Sequence, residues 1–291
     1  MAGRHTGPWP VRNDERAVRD WLHTWLKGDE ADAQVRWLLD EVTATDRGTR
    51  LMGYVYSEAE LNVLAEWAKR CAAGEPIQHV TGFTHFMGLR IACDRRALIP
   101  RPETEELAAW CVRALRGAGP GRVCDAGTGT GCLALALKHA LPAWEVEGID
   151  RSEAALDLAR ENAARLDLAV AFHQRAFAAL AAESARPFDL IVSNPPYIPR
   201  SEFVEMEAVV TEYDPDLALF VEDEDPLVHY RTLVEQSEAG ALGLNGILAF
   251  EIHERAADEV VRLFGAPWRE VSVHHDLQGR PRMVTAQRAA P

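Results

Sequence analysis

The chain contains no uninterrupted apolar run long enough to cross a bilayer, so no membrane-spanning helix is expected. It opens on Met1-Ala2-Gly3-Arg4-His5 and passes into proline and charge without the apolar centre of a secretory leader, so the expected address is cytoplasmic. Cysteine is sparse and odd in number: Cys71, Cys93, Cys111, Cys124 and Cys132 are scattered with no CxxC pair. That spacing excludes a disulfide framework and a clustered zinc site, and leaves reduced thiols used as small apolar side chains. His274-His275 is the only histidine pair, and neighbours on a strand point to opposite faces, so no metal is expected there. Basic charge is also short. The formal net charge of −14 argues against broad attachment to a nucleic-acid backbone and favours a small molecule or a basic protein as partner.

What remains is the composition of an ordinary globular protein, with 47% hydrophobic and 26% charged residues. Its 291 residues suffice for one large domain and a small one. The first part reads as helical: Trp21, Leu22, Trp25 and Leu26 recur on one face, and Trp37, Leu38 and Leu39 belong to another amphipathic stretch. Ser57-Glu58-Ala59-Glu60 is a capping-box start before Leu61, Val63, Leu64 and Trp67. Gly74-Glu75-Pro76 then breaks the pattern. A helical domain is expected over residues 1–75, its tryptophans serving as core.

From 76 to 105 short β-forming runs, Phe83-Thr84-His85-Phe86 and Leu89-Arg90-Ile91, are punctuated by Gly82 and Gly88, which suggests a hairpin-like connector. Arg101, boxed between Pro100 and Pro102, is stiff and extended. From 106 to 291 strands and helices alternate: strands at 122–125, 144–150, 170–173, 188–193 and 246–252, helices at 154–166 and 255–264 among others, and two final extended runs around Val271 and Val284. Such alternation specifies an α/β fold, a doubly wound and mostly parallel sheet with helices on both faces.

Between the first strand and its helix lies Asp125-Ala126-Gly127-Thr128-Gly129-Thr130-Gly131. Glycines allow a sharp turn and close approach of a ligand to the main chain. The G-x-G-x-G spacing is tighter than a dinucleotide fingerprint, and the lysine of a P-loop is missing. Asp125 would oppose a pyrophosphate but suits a cationic amino-acid moiety. Asp150 ends the next strand, at the offset where an acidic side chain receives ribose hydroxyls. A nucleoside without pyrophosphate fits both features, and S-adenosyl-L-methionine answers that description.

Ser193-Asn194-Pro195-Pro196-Tyr197 follows the fourth strand directly, where open α/β sheets bind ligands. The Asn194 side-chain oxygen and the Pro195 carbonyl suit the two N–H bonds of a substrate NH2 group, with Pro196 stiffening the turn. Tyr197 would cover the flat face of the substrate and support nearby positive charge through its ring. The reaction read from these atoms is methyl transfer to a planar amide or amine nitrogen by proximity and orientation.

Gly127-Thr128-Gly129-Thr130-Gly131, Asp150 and Asn194-Pro195-Pro196-Tyr197 together resemble the class I, Rossmann-like methyltransferases of amide and amino nitrogens, among them adenine-N6 and protein-glutamine enzymes. Glu75-Pro76-Ile77-Gln78-His79-Val80-Thr81-Gly82 and Leu98-Ile99-Pro100-Arg101-Pro102-Glu103-Thr104-Glu105 are similar to the HemK/PrmC family. That resemblance implies methylation, from S-adenosylmethionine, of the Gly-Gly-Gln glutamine of peptide chain release factors, with a substrate-binding helical N-terminal domain. It also implies that Arg101 and Thr104 border the cofactor. Where the family often carries an acid and an aromatic after the third strand, this chain reads Gln174-Arg175-Ala176-Phe177, which leaves Ala176 and Phe177 as an apolar wall without a direct acidic contact. Glutamine methylation of a ribosomal protein and adenine-N6 methylation of nucleic acid remain alternatives. Residues 202–225 contain many acids and no Lys or Arg, so they are either a solvated face or a surface that steers a basic partner.

Overall fold

The computed structural model describes residues 9–205 and 213–290. The chain forms two compact units, Met1–Gly82 and Phe83–Pro291.

The first unit is helical: α1 (Glu15–Trp25), α2 (Ala31–Thr43), α3 (Arg47–Leu51), α4 (Glu58–Ala72) and α5 (Ile77–Thr81). Three helix starts are fixed by side chains. Asp14 accepts from the Ala17 N–H, Asp46 from the Thr49 N–H, and Ser57 and Glu60 form a reciprocal capping box, so donors left over at each helix start are satisfied. Val18, Trp21 and Leu22 of α1 close on Val35, Leu38, Leu39, Leu61 and Leu64. Into this apolar core runs a charge cluster. The Arg50 guanidinium, fully buried, pairs with Glu15 at 3.0 Å and with Asp40 at 2.6 Å, and the Tyr56 hydroxyl donates to Glu15. Breaking such a pair from one side strands a buried charge, so the cluster ties α1, α2 and α3 together.

The second unit begins with an antiparallel hairpin, β1 (Phe83–Phe86) and β2 (Leu89–Ala92), turned by Met87 and Gly88, both at positive φ. Its start at Phe83 makes the hairpin narrower than the 76–105 span expected, because 77–81 is a helical turn of the first unit. Then follow α6 (Pro102–Leu115), β3 (Arg122–Ala126), α7 (Cys132–Ala140), β4 (Glu145–Asp150), α8 (Glu153–Leu166), β5 (Ala171–Gln174), α9 (Leu180–Glu183) and β6 (Phe188–Ser193). After β6 come β7 (Ile198–Pro199), α10 (Asp216–Leu219), β8 (Phe220–Val221), α11 (Val228–Gln236), β9 (Leu242–Glu251), α12 (Ala257–Val261), β10 (Trp268–His275) and β11 (Pro281–Arg288).

Seven strands form one sheet in the order β10-β11-β9-β6-β3-β4-β5. The five from β9 to β5 are mutually parallel, and β11 and β10 add antiparallel strands at one end. Both faces are covered. Val123, Leu190 and Val192 point to the side of α6, α7 and α8, while Cys124 and Ile191 point to the side of α9, α11 and α12. This period-two alternation of wholly buried residues is what a doubly covered parallel sheet requires.

The chain order places the site. From β3 the strands run outward through β4 to β5, then return to add β6 on the opposite side of β3. The carboxyl ends of β3 and β6 therefore flank the point where strand order reverses, where the connecting loops part and leave a crevice. The Ser193 hydroxyl donates to the Ala126 carbonyl at 2.6 Å and ties the two strand ends together.

Candidate functional site

A cavity of about 340 Å³ opens over these strand ends. Its wall includes Gly127, Thr128, Gly129 and Thr130 of the loop after β3, and Asp150 at the end of β4. Ala176 and Phe177 contribute after β5, Asn194 and Pro196 after β6, and Arg101 and Thr104 at the start of α6. Residues more than ninety positions apart thus meet in one crevice.

The loop owes its shape to its glycines: Gly127, Gly129 and Gly131 have φ of 80°, 54° and 82°, in the region that side-chain-bearing residues rarely enter. A Cβ at Gly127 would lie 3.2 Å from Cζ of Phe177, so the aromatic ring packs directly over the bare backbone. The Gly127 and Thr128 N–H groups donate to the Ile149 carbonyl at 2.8 and 3.0 Å, fixing the loop to β4.

Asp150 completes the clamp. One carboxylate oxygen accepts from the Gly129 N–H at 3.0 Å and the other from the Ser152 N–H at 2.9 Å. Two backbone donors leave acceptor positions on both oxygens, which suits a diol at the cavity wall. Burial raises its pKa, opposed by the N–H groups of Ser152 and Gly129 that favour the charged form.

Asp125 sits elsewhere than its place before the glycines suggests. Its carboxylate is fully buried behind the loop, where Oδ2 accepts from the Thr128 hydroxyl at 2.7 Å and from the Ala134 N–H at 3.1 Å. The free N–H groups in the first turn of α7 draw the acid inward, away from the wall. Burial pushes its pKa up to about 7. Gly131 also lies off the wall, where a Cβ would come within 3.1 Å of Ala159 and 3.3 Å of Leu135 and Phe172.

Of the tetrapeptide, Asn194 and Pro196 reach the cavity. Pro195 is buried, and Tyr197, half-buried, packs on the core of the α11 face with its ring edge toward His253, centroids 5.9 Å apart. The Asn194 side chain is held from behind. Its Nδ2 donates to Oγ1 of Thr104 at 3.1 Å, and the Thr104 hydroxyl donates to Oε2 of Glu251 at 2.7 Å. An ionised carboxylate can only accept, so the threonine proton goes to Glu251 and its lone pair to the Asn194 amine. The Asn194 amine is thereby engaged, and its carbonyl oxygen is the end without a role in this chain of contacts.

Glu251 and Asp214 are the residues that motif reasoning missed. Glu251 ends β9, and the one visible sign is an acid inside the apolar run Leu248-Ala249-Phe250-Glu251-Ile252. Asp214 accepts from the Ile99 N–H at 3.2 Å and from Arg101 at 2.6 Å, and so holds the stiff Pro100-Arg101-Pro102 segment at the cavity rim. It comes from the acidic stretch 202–225, of which 206–212 lies outside the described residues. Other acids there also pair within the chain: Asp216 and Glu222 with Arg200, and Asp225 with Arg231. The stretch is neither uniformly solvated nor uniformly free for a partner.

Among the described residues no group of histidine, cysteine and acid side chains is arranged to hold a metal ion, and no helix is long and apolar enough to cross a membrane.

Comparison with known proteins places these features. Residues 21–82 match the PrmC N-terminal domain and residues 108–211 the methyltransferase small domain. A release factor glutamine methyltransferase of Deinococcus radiodurans is 46% identical over 222 residues, covering 76% of this chain and 77% of its own length. One from Bacteroides thetaiotaomicron is 40% identical over 220 residues, covering 75% and 78%. A methyltransferase of Pyrococcus furiosus shares the fold, with a TM-score of 0.51 at 14% identity over 70% of this chain and 90% of that one.

Proposed function

The chain belongs to the release factor glutamine methyltransferase family, and on that premise we propose that its cavity joins S-adenosylmethionine to the glutamine of the Gly-Gly-Gln motif of a peptide chain release factor. The observation that carries the reading is the Asn194 carboxamide: on the cavity wall with its amine held by Thr104, it has its oxygen to offer as an acceptor.

The residues present fit the cofactor. Two glycines at positive φ, Gly127 and Gly129, make a cradle that side chains would fill, and the doubly anchored Asp150 keeps acceptor capacity for ribose hydroxyls. Ala176 and Phe177 offer the adenine an apolar wall, and Thr128, Thr130, Arg101 and Thr104 border the remainder. Asp125 serves from behind by holding Thr128, and Gly131 by admitting α7 close to α8. S-adenosylmethionine supplies an electrophilic methyl group on a sulfonium.

The protein's part is orientation. The Asn194 oxygen accepts one substrate N–H, which orients the nitrogen and aims its electron pair; Pro195, expected to accept the other, is buried and lies off the cavity wall. Bound there, the sulfonium would give up its methyl group and keep the C–S electron pair, and the nitrogen held by Asn194 would then release its proton to solvent. Positive charge grows on the nitrogen during transfer, and the aligned Asn194 carbonyl dipole stabilises it more than it stabilises the neutral ground state. Pro196 stiffens the turn, and Tyr197 backs it from the core side. The helical domain, expected over 1–75 and compact over Met1–Gly82, serves to bind the protein substrate.

The test offers the purified chain labelled S-adenosylmethionine with a release factor, a ribosomal protein and DNA in parallel. Label on the release factor, lost when its Gly-Gly-Gln glutamine is replaced, supports the proposal. Label confined to ribosomal protein or DNA overturns it.

A further inference from the structure

The mechanism uses one face of Asn194, and the structure explains how that face is chosen. A carboxamide is nearly symmetric in shape, yet its two ends are opposite in hydrogen-bonding sense. Turned one way, Asn194 offers an oxygen to a substrate amine. Turned the other, it offers N–H donors to N–H donors, and the substrate is repelled. Nothing in the shape of the Asn-Pro-Pro turn distinguishes the two.

The geometry points to Glu251 and Thr104 as positioning residues that set this sense: Glu251 receives the Thr104 proton, Thr104 thereby accepts from the Asn194 amine, and the Asn194 oxygen is directed at the substrate. The inference rests on the reading of Asn194 as the acceptor for the substrate amide. Glu251 is 2% exposed and absent from the cavity wall, so it acts through Thr104 and not on the substrate. The three residues come from three elements, β9, α6 and the end of β6. The cluster is anchored on two further elements. The Glu251 backbone carbonyl accepts from the Tyr230 hydroxyl of α11 at 3.1 Å, and Glu251 faces Met283 across the β9–β11 ladder.

A relay set by a carboxylate works only while the carboxylate is charged. Once protonated, Glu251 can donate to Thr104, Thr104 can donate onward to the Asn194 oxygen, and the amide settles in the wrong sense. The charged groups around Glu251 are Arg282 of β11, Glu103 of α6 and Arg101 at its start, with the neutral phenols of Tyr197 and Tyr230 beside them. Arg282 is itself shared with Asp276 at 3.4 Å. Burial pushes the Glu251 carboxyl up to about 7, opposed by the Thr104 hydrogen bond and by Arg282. The switch therefore lies within the range in which the enzyme can be assayed.

The experiment measures kcat against pH for the full chain and its variants with a release factor as acceptor. Wild type is expected to lose activity on the acid side of about 7. Glu251→Gln removes one titrating group, so its rate should be lower at neutral pH and its acid limb shallower than that of wild type, Asp125 still titrating at about 7. Thr104→Val should lower kcat by about tenfold, the cost of one aligned hydrogen bond in the transition state. Thr104→Ser, which keeps the hydroxyl, should restore most of it. An acid limb unchanged in Glu251→Gln, or a Thr104→Val variant at the wild-type rate, overturns the inference. If Glu251→Gln does not fold, the valine and serine pair decides alone. Failure of the reading beneath it looks different: wild type would then leave the release factor unlabelled, or Asn194→Ala would methylate it at full rate.

Discussion

Gly129 donates its backbone N–H to Oδ2 of Asp150 across 3.0 Å, so the glycine loop after β3 and the acid after β4 form one hydrogen-bonded piece. The acid that suits the ribose also shapes the loop that receives the rest of the nucleoside. Asp150→Ala should therefore weaken binding of S-adenosylhomocysteine by roughly tenfold or more, since charge-assisted contacts to both loop and ligand are lost together. Calorimetric titration checks it, and affinity near wild type would remove Asp150 from the site.

Asn194→Ala should cut kcat by roughly 100-fold, the scale seen when one pre-aligned dipole is removed from a charge-developing transition state. Cofactor affinity should stay within about threefold, because the acceptor acts on the substrate amine. Single-turnover labelling beside a binding titration separates the two effects.

Gly148 carries a different burden. A Cβ there would sit 2.7 Å from ring atoms of Phe172 and 2.7 Å from Oγ1 of Thr128. Gly148→Ala should cost about 1–3 kcal/mol of stability, the range for forcing a methyl group into a filled core. It should also disturb Thr128, and with it the buried Asp125. Chemical denaturation gives the first effect and cofactor titration the second.

How much of this was legible beforehand depended on distance along the chain. The glycine loop, Asp150 and Asn194-Pro195-Pro196-Tyr197 are local patterns at strand ends, and a parallel α/β sheet brings strand ends together whatever else it does. The Ser57–Glu60 capping box is local in the same way. The residues that orient the site are not. Glu251 meets Thr104 across 147 positions, and Asp214 meets Arg101 across 113. A lone acid in an apolar run does not name its partner. Asp125 was visible but its direction was not, because what turns it inward is the Ala134 N–H nine residues on. Arg50 and Glu15 stay hidden for a related reason: nothing local in a helical Arg or Glu shows that the two pair inside a core.

Stability should register Glu251 independently of activity. Its carboxyl is raised from its ordinary value to about 7 by burial, so the native state holds its proton more tightly than the unfolded chain does. A raised acid favours folding below its unfolded pKa and loses that contribution as pH climbs through about 7. The melting temperature of Glu251→Gln, taken relative to wild type, should accordingly rise between pH 5 and pH 8. A difference that is constant over that range would contradict the assignment of the titration to this residue.

The most direct test of the account is the site of label on a release factor incubated with the enzyme and methyl-labelled S-adenosylmethionine, read by mass spectrometry of the Gly-Gly-Gln peptide. The account predicts one methyl group on the glutamine side-chain nitrogen, nearly absent with Asn194→Ala. A methyl group on any other residue, or none on the release factor while another acceptor is labelled, would contradict it.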